Sequence, residues 1–284
     1  MVWTEITRRQ YLRERLRYAS DTTQAEWLLL SFFLPPRSRV GRPREVDLRV
    51  VVDAILYLLM TGCQWRSLPK DFPPYSTVQY YFYLWRDQRI WSRINRALVR
   101  RARLSMGRNA VPSAGIIDSQ SVKTTESGGP CGFDAGKRVN GRKRHIVTDT
   151  QGFLLALLVL PADIQDNHGA VPLLGMLRGR FSKLRHIFAD RVYRGPKLRN
   201  AIAPLGRWTI EIVTRAQKAG RFKPERKRWI VERTYAWFGR NRRLAKDYEA
   251  TIASAEAWFL IASVKLLVRR LARGHDMLPH NVQY

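Results

Sequence analysis

Acidic residues are scarce in this chain. Against 51 Lys+Arg there are 23 Asp+Glu, a formal net charge of +28 over 284 residues. Such an imbalance exceeds what solubility requires and gives strong, salt-sensitive attraction to a polyanion. Cysteine is nearly absent: Cys63 and Cys131 stand alone, with no CxxC motif and no Cys/His cluster, so two reduced thiols in a cytoplasmic protein are expected. No apolar run approaches membrane-spanning length, and the opening Met1–Arg8 has no signal-peptide core, so no membrane partner is expected. Low-complexity tracts and internal repeats are missing too. A disordered basic tail is excluded, because the charge is spread along the chain and 45% of residues are hydrophobic.

The first hundred residues read as helices. Asp21-Thr22-Thr23-Gln24 offers an N-cap before Ala25–Leu30, Asp47 caps an apolar helix that Gly62 ends, Ser76 precedes an aromatic helix, and another runs from about Ile90 to Met106. Basic helices in series resemble a helix-turn-helix module. Tyr81, Phe82 and Trp85, at helical spacing, fit a packed core better than base contacts. Beyond Gly107 the pattern turns to strands at 114–122, 144–149 and 153–160, the last two joined by Thr150-Gln151-Gly152. Gly128–Gly132 reads as a loop without the Lys-Ser/Thr ending of a phosphate cradle. A helix from Gly169, a strand at 185–190, a helix from Pro196, a strand at 209–214 and two last helices follow. The fold class is α/β, with a boundary at about residue 107.

Three carboxylates stand out. Asp118 and Asp190 close short apolar runs that read as strands, and Glu232 lies in a helical run. Two strand-end Asp and one helix Glu converging on a sheet edge would give hard oxygen ligands for one or two Mg²⁺, with Mn²⁺ a substitute. Asp149, Asp163 and Asp166 compete but suit turn and cap roles. Arg142, Lys143, Arg144 and His145 lead into a strand beside the proposed site and are expected to track nucleic-acid phosphates, with His145 either touching the reacting region or packing. Lys123, Arg191 and Arg194 are placed on the same polyanion. No His pair has metal-ligand spacing.

Asp118-Ser119-Gln120-Ser121-Val122-Lys123, Gly141–Gly152, Pro161–Asp166, Phe188–Gly195 and Val231–Phe238, with Gly41–Arg44 and Thr61–Pro69 ahead of them, resemble bacterial insertion-sequence transposases of the DDE type, group five. The resemblance covers nearly the whole chain. It implies that Asp118, Asp190 and Glu232 are the catalytic, metal-binding triad. It also implies a ribonuclease-H-like mixed sheet at 108–284, preceded by an all-helical DNA-binding domain at 1–107. Related transposases carry Tyr, Arg, Glu and Lys or Arg along the third-carboxylate helix; here Arg228 and Glu232 fit, Glu225 occupies the Tyr slot, and Arg240 falls one place beyond the last. Arg228 would either grip a phosphate or pair with Glu232. The expected activity is binding of inverted element ends in double-stranded DNA, metal-dependent hydrolysis, and joining of the 3′ hydroxyl to target DNA by a homodimer or higher oligomer at the bacterial nucleoid. The rivals are a catalytically silent DNA-binding regulator and a nuclease without strand transfer.

Overall fold

The computed structural model describes residue 13 and residues 16–36, 44–213 and 228–275, with the side chains at 228, 274 and 275 outside that description. Helices come first. In α1 (Gln24–Ser31), Thr23 accepts from the Glu26 amide and Glu26 returns to the Thr23 amide, closing a capping box. α2 (Leu48–Thr61) opens on Asp47, which accepts from the Arg49 amide at 2.8 Å, and closes on Gly62 at φ 70, a left-handed cap that suits glycine. α3 (Tyr75–Asp87) starts after Pro74 rather than on a Ser76 cap. α4 (Ile90–Leu104) follows.

Phe82 and Trp85 lie in the core, and the Phe82 ring stacks on Trp258 with centroids 4.5 Å apart. The packing reading of the aromatic stripe holds. Trp258 belongs to α8 (Ile252–His275), whose 24 residues extend about 36 Å. This helix packs against α1, α2, α3 and α4 on one side and against β4 on the other. One apolar core therefore runs through both halves of the chain. The sequence boundary near 107 divides composition without dividing the core.

The sheet has six strands: β1 (Ala114–Lys123), β2 (Gly132–Asp134), β3 (Val139–Asp149), β4 (Leu154–Pro161), β5 (His186–Ala189) and β6 (Thr209–Ile212). Their order is β2-β3-β1-β5-β6, with β4 continuing along the β3 edge that β2 begins. β1 is antiparallel to β3 and parallel to β5, so the sheet is mixed. α5 (Asp166–Gly175), α6 (Pro196–Ile202) and α7 (Arg228–Gly239) accompany it.

Two expectations need correction. The stretch read as a loop ends in β2, where a Cβ on Gly132 would meet Asp163 Oδ1 at 1.9 Å; the close approach, not alternation, selects the residue. β3 begins five residues earlier than the hydrophobic pattern suggests, because its first part carries cations that are buried.

Candidate active site

Asp118 is the fifth of ten residues in β1, so it sits mid-strand and not at a strand end. Asp190 directly follows β5. Ile116 pairs with Phe188 across these parallel strands, and counting two residues onward sets Asp118 level with Asp190. Both line one small pocket with Ile116, Ile117, Phe188, Ala189 and Val213. Local backbone holds each carboxylate: Asp118 accepts from the Ser119 amide at 2.8 Å, and Asp190 accepts from the Val192 amide at 2.9 Å.

Glu232 is exposed on α7, which packs against β1. Three residues on, and so on the same flank, Tyr235 donates to the carbonyl of Arg144 at 2.7 Å and faces that of Asp118 at 3.3 Å. Thr234 donates to the Gly152 carbonyl at 3.0 Å, fastening the same helix to the β3–β4 turn. Arg233 lies between the rings of Trp229 and Trp237, 4.4 Å from each centroid. Arg228 opens α7, and its side chain, like Glu225 and Gly41–Pro43, lies outside the described residues.

Tyr193 went unnoticed in the sequence. Its phenol is buried, and burial followed by the carboxylates of Asp118, Asp166 and Asp190 raises its pKa well above the usual value. It stays a neutral donor beside the pair. Tyr235 is raised likewise, by burial first and then by Asp118. The spacing Asp190-x-x-Tyr193 and Glu232-x-x-Tyr235, one helical turn each, was the available signal.

The basic run of β3 turns inward. Arg142 is fully buried: its guanidinium meets Asp247 at 3.2 Å and donates to the carbonyls of Pro130, Glu249 and Ala250. Arg144 donates to the carbonyls of Leu244 and Lys246. Lys143 pairs with Asp134 at 3.4 Å and Asp166 at 3.0 Å. His145 is buried against Gly169, and desolvation lowers its pKa to about 4, so it is neutral. Phosphate tracking by these four gives way to an internal structural role. Asp149 takes the turn role expected of it, accepting from the amides of Gln151 and Phe153 while pairing with Arg103. Asp166 is not a cap but the partner of Lys143. Lys123, Arg191, Arg194 and Arg240 are exposed.

A divalent cation such as Mg²⁺ calls for hard oxygen ligands. Asp118 and Asp190 offer hard oxygens at one pocket, which fits. Among the described residues, however, no group of three or more His, Cys, Asp and Glu side chains stands close enough to hold a metal ion, so Glu232 does not join the pair here.

A mixed sheet that presents two level carboxylates, with a third on a helix packed against their strand, is an arrangement suited to nucleic-acid chemistry. Residues 109–267 match the family model "Transposase DDE domain", and the chain belongs to that family. Residues 22–95 match "Putative transposase of IS4/5 family", which makes it a DDE transposase of the IS4/5 type. A curated relative from Burkholderia cepacia, "Putative transposase for insertion sequence element IS402", is 33% identical over 119 residues, covering 38% of this chain and 54% of the relative. The chain thus matches about half of that relative's length. No solved structure matches.

Proposed function

We propose that the protein binds the inverted ends of its own element in double-stranded DNA, hydrolyses the end phosphodiester and joins the freed 3′ hydroxyl to target DNA. The observation that carries this reading is the level placement of Asp118 and Asp190 on adjacent parallel strands at one pocket. The strand order, three antiparallel strands followed by two parallel ones with β2 as an added rung, supports a ribonuclease-H-like sheet. Residues 1–107 are assigned to end recognition and 108–284 to chemistry. Action at the bacterial nucleoid, by a homodimer or larger assembly that pairs two ends, follows from that chemistry.

Asp118 and Asp190, with Glu232 brought to them from α7, would hold Mg²⁺, with Mn²⁺ as a substitute. When bound, the cation supplies a Lewis acid to the phosphoryl oxygens and lowers the pKa of water. The protein's own groups do the positioning. Backbone amides at Ser119 and Val192 fix the two Asp carboxylates, and Thr234 and Tyr235 fix the helix bearing Glu232. The protonated Tyr193 phenol offers a hydrogen bond beside the pair. Exposed Lys123, Arg191, Arg194 and Arg240 are assigned to DNA backbone contacts, as is Arg228.

The test compares full-length wild type with Asp118→Asn on duplexes carrying the element ends, in Mg²⁺. Cleavage should fall to background while end binding stays within a few fold, because the ligand acts on the transition state and surface cations supply most affinity. Undiminished cleavage by Asp118→Asn would remove it from the site. End binding without cleavage by the wild type in Mg²⁺ or Mn²⁺ would favour the silent regulator.

A further inference from the structure

The outward face of α4 is a ladder of arginines. Arg89 at its N-cap, then Arg93, Arg96 and Arg100, are all exposed. At about 100° per residue they fall within roughly 60° of arc, and the rise from Arg89 to Arg100 is about 16 Å. The opposite face, Ile90, Trp91, Ile94, Leu98 and Ala102, is buried in the core, so the arginines cannot turn inward. α4 holds no Asp or Glu. Like charges at three- and four-residue spacing weaken a helix, so an uninterrupted basic face calls for a partner that offsets the repulsion.

The surroundings match. Arg93, Arg96 and Arg100 have no ion-pair partner among the described residues. Asp87 pairs with Arg86 at 2.7 Å, and Glu256, which accepts from the Val159 amide at 3.0 Å, acts electrostatically on Arg89 at the start of the ladder. Hollows flank the ladder on both sides. One, of about 710 Å³, is bordered by Arg89, Arg93, Arg96 and, from across it, Arg180. The other, of about 540 Å³, is closed by Phe32 and Phe33.

We infer that this face is a phosphate track for one strand of duplex DNA, separate from the Asp118–Asp190 pocket. A span of about 16 Å is long enough to reach several successive phosphates of one strand, and guanidinium forks suit phosphate oxygens. Nothing in the ladder reads bases, so the track binds duplexes of any sequence. The inference rests on the transposase reading for its partner, but its test needs no cleavage.

Full-length wild type and the triple variant Arg93→Gln, Arg96→Gln, Arg100→Gln are titrated with a duplex of unrelated sequence across a salt series in EDTA. Each phosphate contact contributes ~0.9 to the slope of log affinity against log salt, so the triple variant should lose about 2.7. A control triple, Arg66→Gln, Arg178→Gln, Arg207→Gln, removes equal charge from other exposed positions and should keep the wild-type slope. Arg96→Gln alone, losing about 0.9, serves if the triple variant does not fold. An unchanged slope in the ladder variants, an equal loss in the control, or a loss seen with an RNA duplex and not with DNA overturns the track. Those results leave the Asp118→Asn outcome untouched, and undiminished cleavage by Asp118→Asn would leave the track standing.

Discussion

Two basic runs, Arg142–Arg144 in β3 and Arg89–Arg100 in α4, look alike on paper and do opposite things. In β3 the period of two would turn alternate residues outward, yet both faces are covered and the cations meet Asp247, Asp134, Asp166 and a row of carbonyls. In α4 the period of 3.6 collects the arginines on one face while the apolar residues fill the other. The lesson is that a cluster of positive charge says little until its periodicity and distant partners are known. Asp247 lies 105 residues from Arg142.

The strongest attempt to break this contrast is Arg142→Met. Removing one partner of a buried pair strands the other, here Asp247, and costs about 3–5 kcal/mol. Chemical denaturation should show that loss, while the salt slope of DNA binding by the folded protein stays at the wild-type value. A changed slope with unchanged stability would return Arg142 to the DNA surface.

His145 sharpens the same contrast through pH. Burial lowers its folded pKa from 6.5 to about 4. Between those values the unfolded chain binds the proton and the folded one does not, so stability is full above pH 6.5 and drains as pH falls towards 4. The shift is worth on the order of 3 kcal/mol. Denaturation midpoints measured across that window should flatten in His145→Leu; an unaltered slope would mean that other groups carry it.

The smallest expected effect is that of Tyr235→Phe, which removes the donor to the Arg144 carbonyl. Its loss should cost about 1–2 kcal/mol. If the hydroxyl positions the helix bearing Glu232, cleavage should fall further than stability does, and a maximal rate equal to wild type would reduce the tyrosine to packing.

Much of this was legible in advance. Capping residues such as Asp47 and Gly62 announce helix ends by local chemistry, and the β-branched runs before Asp118 and Asp190 announce strands. The fate of Arg142, Arg144 and Asp166 was not legible, because long-range partners leave no trace in local pattern. Placing Asp118 at a strand end failed for a related reason. The apolar run stops at Asp118, but the strand expected at 114–122 runs on past it, and β3 pairs with Ser119, Gln120 and Ser121 residue by residue. Tyr193 and Tyr235 were hidden in plain aromatic content, where only the nearness of carboxylates distinguishes them.

The placement of α8 bears on how the molecule is made. Four helices from the front of the chain rest on a helix that begins at Ile252, so their shared core cannot close until the ribosome has passed residue 252. During synthesis the arginine face of α4 lacks its backing, and the two ends of the chain must find each other after an interval of well over a hundred residues. Loop closure over such a separation is slow compared with helix formation. The face inferred to engage DNA would therefore be completed late in biogenesis and not on the nascent front of the chain.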